Sequence, residues 1–221
     1  NIKKVYIDNI HFVKNLKGNL SIKNNEVLDA NILAYFDNSN NISFSIKTNG
    51  DGEKITTLFS SKAKPLVDRY KFIKGFKDGK EGYLDFSSLK KNSVSNSKLI
   101  IDNFKVNEIP ALAKLLALAS LQGIADLLTG EGIRFTDFEM KFTNEDKLMR
   151  IQELYAIGPA ISILLEGYIE IDRLISLRGT LVPATTINRS IASIPLIGDL
   201  LIGKKVGEGV FGVSFKIKGN P

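Results

Sequence analysis

Along most of this chain apolar and polar residues alternate with a period of two. Leu20 and Ile22 have polar neighbours, and Leu28, Ala30, Ile32, Ala34 and Phe36 keep the pattern over a longer run. After an Asn-rich turn at 37–41 come Ile42, Phe44 and Ile46, and later Leu99 and Ile101. Successive side chains of an extended strand point to opposite faces, so each run predicts a strand with one apolar and one wet face. Phe135 is followed by Phe138, Met140 and Phe142, and the step of three between the first two predicts a bulge or bend at Thr136-Asp137. Ile161, Ile163 and Leu165 precede Gly167; Ile169 and Ile171 lead to a tight turn near Asp172-Arg173, and Ile175 and Leu177 follow it. The cleanest run is the last, where Phe211, Val213, Phe215 and Ile217 alternate with Gly212, Ser214, Lys216 and Lys218. Many such strands, separated by Gly, Asn, Asp and Ser, predict an antiparallel sheet with short turns.

Helices are fewer. Residues 63–72 predict a short helix with Pro65 in its first turn. A stronger segment starts at Pro110 and runs to Leu128, ending before Gly130. Its polar residues Lys114, Gln122 and Asp126 occupy about a third of the circumference, and Leu112, Leu115, Leu116, Leu121 and Ile124 belong to the rest. That apolar stripe is too wide for a helix resting on one flat core, so it predicts deep burial or contact with something apolar. A second apolar segment, 185–202, is broken at Pro195. No window holds the roughly 18 uninterrupted apolar residues of a membrane span.

Composition narrows the class. Among 221 residues, 43% are apolar and 24% charged, which excludes wholesale disorder and allows a substantial core. We expect one β-rich domain, made of a strand region at 1–62 and the remainder at 63–221. The chain opens on Asn1 without a basic-then-apolar leader, so it is expected to be a fragment of a longer protein whose anchor lies elsewhere. Cysteine is absent, which removes disulfides, thiolate catalysis and cysteine metal sites. The net charge of +6 is uneven: residues 1–110 carry 18 Lys and Arg against 12 Asp and Glu, while 111–221 carry 12 of each. The densest stretch, Lys62 to Lys80, suits anionic lipid headgroups, nucleic acid phosphates or simply solvent.

Candidate chemistry is sparse. His11 is the only histidine, so a zinc site or a Ser-His-Asp triad would both have to use it, and no G-x-S-x-G elbow accompanies it. Gly207, Gly209 and Gly212 spell G-x-G-x-x-G, but an apolar helical piece precedes them and a strand follows, the reverse of a dinucleotide site. Carboxylates are scattered rather than paired. Arg69, Tyr70, Lys71, Phe72, Lys74 and Phe76 interleave cations with aromatics as single-strand binders do, yet Tyr70 and Phe72 cannot share a helix face. No catalytic residue, metal, cofactor or nucleic acid partner is expected.

The C-terminal half carries a specific order of motifs. Gly158-Pro159-Ala160 is followed by Glu166-Gly167-Tyr168-Ile169 and by Leu177-Arg178-Gly179-Thr180-Leu181-Val182-Pro183-Ala184. Then come Asn188, Ile194-Pro195-Leu196-Ile197-Gly198-Asp199 and Gly207-Glu208-Gly209-Val210-Phe211. This order resembles the AsmA-like C-terminal domain family of bacterial envelope proteins, nearest to its YhdP-type members. The resemblance extends upstream through 112–135 and 63–76, with Lys204-Lys205 as a departure where a Gly-rich turn is expected. It implies a curved or folded-over antiparallel sheet with an apolar groove capped by amphipathic or apolar helices. It also implies a non-enzymatic role in phospholipid transport across the periplasm of a Gram-negative cell, in a protein anchored in the inner membrane. Phospholipid, the membrane surface and other envelope proteins would be the partners. The residues expected to meet lipid or membrane are Leu112, Leu115, Leu116, Leu121, Ile124, Phe135, Phe138, Ile161, Ile163, Leu165, Ile169, Ile171, Ile175, Leu177, Phe211, Val213 and Phe215. Gly158, Pro159, Gly167, Arg178, Gly179, Pro183, Asn188, Pro195, Gly198 and Gly209 are expected to shape turns and packing. Periodicity alone also allows a closed β-sandwich or barrel, dry inside, that serves in interaction or scaffolding.

Overall fold

The computed structural model describes residues 2–78, 82–118, 121–183 and 212–220. The first half supplies β1 (Ile2–Tyr6), β2 (Phe12–Lys23), β3 (Glu26–Tyr35), β4 (Asn41–Thr48), β5 (Lys54–Ser60), helix α1 (Lys64–Tyr70), β6 (Phe76–Asp78), β7 (Leu84–Lys91) and β8 (Val94–Val106). Helices α2 (Pro110–Leu118) and α3 (Gln122–Thr129) follow, then β9 (Ile133–Glu145), β10 (Leu148–Ile157), β11 (Ile161–Glu170), β12 (Leu174–Pro183) and β13 (Val213–Gly219). All 13 strands form one antiparallel sheet ordered β1-β2-β3-β4-β5-β7-β8-β9-β10-β11-β12-β13, with β6 paired to the end of β8 that β7 leaves free. The ladder does not close on itself, and β1 and β13 are its edges. Among the described residues the sheet is therefore open, not a closed sandwich or barrel.

Local chemistry explains the meander. Asn24 and Asn25 both take positive φ, 50° and 66°, the two-residue hairpin geometry that asparagine tolerates. The turn expected near Asp172-Arg173 forms with Asp172 at φ 64° and the Arg173 N–H donating to the Glu170 carbonyl. The bend expected at Thr136-Asp137 also forms, and β8 shares it. Ile101 pairs with Phe138 and Phe104 with Phe135, while Asn103 between them takes φ 46°. Both strands thus switch faces together, and Phe104 meets Phe135 at 5.6 Å and Phe138 at 6.2 Å between ring centroids. A further bulge lies in β10. Ile151 pairs with Phe142 but Glu153 with Lys141, so Gln152 is an extra residue.

Helix α1 has Pro65 in its first turn and ends at Lys71, whose left-handed φ of 55° lets its N–H donate to the Val67 carbonyl. The single helix expected over 110–128 is instead two. Leu121 leaves helical geometry at φ −103°, ψ 46°, and its N–H reaches back five residues to the Leu116 carbonyl. Gly123 does little to hold one continuous helix there. The break lets Leu116 and Leu128 both reach full burial. The helices seal one end of the sheet. Leu66, Val67, Leu112, Leu116 and Leu128 pack there with Ile101, Phe104, Ile133, Phe135, Phe138, Ile161 and Leu181. Each such fully buried side chain contributes about 1.5–3 kcal/mol. The apolar segment 185–202 lies outside the described residues.

Candidate functional site

The strand register decides which side chains share a face. Val213, Phe215 and Ile217 on β13 stand opposite Leu181, Gly179 and Leu177 on β12. These in turn face Ile163, Leu165 and Gly167 on β11, where Ile169 pairs with Ile175. The rungs continue through Ala156, Leu154 and Ile151 on β10 to Phe138, Met140 and Phe142 on β9. Leu99 and Ile101 on β8 carry them to Phe86 and Leu84 on β7, and then to Leu58 on β5. Phe44 and Ile46 on β4 meet Ile32 and Ala30 on β3, which pair with Gly18 and Leu20 on β2. One face of the sheet is thus apolar from β2 to β13. Every described strand belongs to this one sheet, so among the described residues no second sheet covers that face.

Burial divides the face in two. Leu112, Leu116, Phe135, Phe138 and Ile161, expected as lipid or membrane contacts, are instead core beneath the helices, because α2 and α3 close over that end. Leu115, Leu121 and Ile124 are half-buried at the edge of the helical cap. Toward the far end Ile163, Leu165, Ile169, Ile175, Leu177, Val213 and Phe215 are half-buried, Ile163 and Phe215 still packing against that core, and Ile171 is exposed in the turn after β11. Phe211 lies outside the described residues.

The opposite face is largely polar and charged, with Leu164 and Val182 as buried apolar exceptions. Glu139 accepts from Tyr155 Oη at 2.9 Å and lies 3.0 Å from Lys98 and 3.4 Å from Lys141, which also pairs with Glu153 at 2.9 Å. Burial pushes the Glu139 carboxyl up, but its bonds to Lys98, Tyr155 and Lys141 outweigh that and hold it below the ordinary glutamate range. Burial and the bond to Glu139 push the Tyr155 phenol up. Arg178 pairs with Glu166 across β11 and β12. Outside this face, Lys62 of the basic stretch pairs with Asp37 at 2.7 Å and Lys64 with Asp68 at 2.8 Å, so part of that charge is neutralised.

The motif residues take structural positions. Gly158 and Pro159 make the turn from β10 to β11, and a Cβ on Gly158 would overlap the Arg134 carbonyl oxygen. Gly167, at φ 138°, and Gly179 press against the backbone of neighbouring strands, and Pro183 ends β12. Asn188, Pro195, Gly198 and Gly209 lie outside the described residues. His11 is held in the β1–β2 turn, its Nδ1 2.8 Å from Asp8 Oδ2, and that bond first among others lowers the Asp8 carboxyl to about 2. Among the described residues no three acidic or histidine side chains are placed to hold a metal, and no helix is long and apolar enough to cross a membrane.

Sequence reasoning missed that β2–β5 join the same apolar face and that the charges of β8–β10 form one network. Period two gives each strand two faces but not which of them its neighbour shares.

The fold and the face together define a class: an open antiparallel meander, helix-capped at one end, with one apolar and one charged side. Compared with known proteins, the chain matches no family, no curated protein and no solved structure.

Proposed function

We propose that this chain is a non-enzymatic phospholipid-handling module, the terminal part of an AsmA-like protein of the Gram-negative envelope. Its open sheet acts as an apolar groove in which acyl chains lie between the inner and outer membranes. The observation that carries this reading is the apolar face, which continues from β2 to β13 in an unclosed sheet and is only partly covered away from the helices. Acyl chains seated there gain about 25 cal/mol per Å² of apolar surface buried, while headgroups stay at the wet rim. The order of glycine and proline motifs from Gly158 to Val213 supports the family reading.

Native mass spectrometry with lipid extraction on the purified chain tests it. Phospholipid should co-purify, and Leu165→Glu together with Leu177→Glu should release it while circular dichroism stays unchanged. A protein that emerges free of lipid and takes none up from liposomes overturns the groove.

A further inference from the structure

On the charged side of β10–β13 the sheet folds into a cleft of about 570 Å³, and its shape follows from two backbone features on one rung. The extra residue Gln152 bulges β10 beside Ile151, and Ile151 pairs with Gly167, whose φ of 138° and contact with the Ser176 carbonyl exclude a side chain. Bulges bend a strand and re-aim its side chains, and they recur beside binding sites. Ile151, Gln152 and Gly167 all line this cleft.

The charges around it are one-sided. Arg150, Arg178, Lys216 and Lys218 line it, against the single carboxylate of Glu166. Glu166 is taken by Arg178, and the nearby Glu153 and Glu170 by Lys141 and Arg173. Among the described residues Arg150, Lys216 and Lys218 have no carboxylate partner. Arg178 and Lys216 are placed directly opposite each other in the β12–β13 ladder, an arrangement that costs stability. An anion in the cleft would turn that repulsion into attraction. Arg150 and Lys218 stand at the two borders of one row that runs through Tyr168 and Ser176, roughly 14 Å apart at ordinary strand spacing, and all four residues line the cleft.

We propose that this cleft binds a phosphate group, either free on a small molecule or carried by a lipid headgroup. A phosphate, as a monoester or a diester, is anionic with at least two free oxygens for the unpaired cations, and an Arg fork with Lys and hydroxyl donors matches those oxygens. The site is on the opposite side of the sheet from the apolar face and does not depend on the lipid-groove reading.

The test is calorimetric titration of the whole chain with inorganic phosphate and with glycerol 3-phosphate, beside flotation with phosphatidylcholine vesicles with and without phosphatidylglycerol. The double substitution Lys216→Gln/Lys218→Gln and the single Arg150→Gln are compared with Lys17→Gln/Lys47→Gln, exposed lysines on β2 and β4. Saturable binding of either soluble phosphate, weakened about tenfold or more by the cleft variants alone, supports a small phosphorylated ligand. Binding only to phosphatidylglycerol vesicles, lost with the same variants alone, supports a headgroup. No binding to any probe, or equal loss in the β2–β4 control, overturns the site and leaves a generally basic surface.

Discussion

The ring of Phe215 lies across Gly179: the two are directly opposite in the β12–β13 ladder, and a Cβ on Gly179 would stand 2.7 Å from Phe215 Cζ. On its other side the same Cβ would overlap the Leu164 carbonyl oxygen. A glycine that weakens a strand is offset here by an aromatic ring covering the gap.

Gly179→Val should therefore destabilise the protein by about 1–3 kcal/mol, since overpacking displaces both the ring and a backbone strand. Phe215→Ala in the same chain should relieve only part of the loss, because the Leu164 carbonyl remains in the way. Denaturant unfolding of the two single variants and the double variant measures this. Full rescue would mean that the ring alone sets the constraint.

Burial separates core from open face, and two leucines expose the difference. Leu116 is fully buried beneath the helical cap, whereas Leu165 is only half-buried on the sheet. Leu116→Ala should cost about 2–5 kcal/mol through the cavity it leaves, and Leu165→Ser clearly less. Lipid content should rank the other way, with Leu165→Ser losing lipid and Leu116→Ala, if folded, keeping it. Unfolding curves and extracted phospholipid from the same preparations decide the matter. Equal costs at both sites would place Leu165 in a closed core.

Glu139 links the electrostatics of β8, β9 and β10. Its carboxyl is held below the ordinary range in the folded state, so the network's stabilisation is full above the unfolded glutamate value. It is lost as pH falls through the lower folded value. Glu139→Gln should cost about 1–2 kcal/mol at neutral pH, by removing charge-assisted bonds from Lys98, Lys141 and Tyr155. Below the ordinary glutamate range the variant and the parent should converge. Thermal melts between pH 3 and pH 8 measure the difference; a constant gap across the range would refute the linkage.

Much of the sheet was legible in the sequence because period two survives in nearly every strand, and Asp172-Arg173 and Thr136-Asp137 announced a turn and a bend. The split of the expected 110–128 helix at Leu121 was not legible, because tertiary burial of Leu116 and Leu128 overrides a segment with continuous apolar character. The candidate face was read one strand at a time. What a single strand cannot show is register: Leu165, Gly179 and Phe215 form one rung only after three strands have paired. The bulge beside Arg150 was missed, although Ile151 and Leu154 stand three apart as Phe135 and Phe138 do.

That last point can be tested by deletion. Gln152 is the one residue of β10 without a place in either neighbouring register, since Ile151 pairs with Gly167 and Leu154 with Leu165. Removing it leaves Ile151 and Leu154 two apart, so a regular strand still directs both to the apolar face. A chain lacking Gln152 should fold with its stability changed by no more than about 1 kcal/mol and with a flatter charged side. Removing Lys141 from β9 is the contrast. It would make Met140 and Phe142 adjacent and throw one of them onto the wet face, at a cost of about 3 kcal/mol or more for the misplaced side chain and the disrupted ladder. Chemical denaturation compares the two chains, with amide exchange on β9–β11 as the local readout. If deletion of Gln152 is as damaging as deletion of Lys141, the bulge is required for the fold and is not a feature set into it.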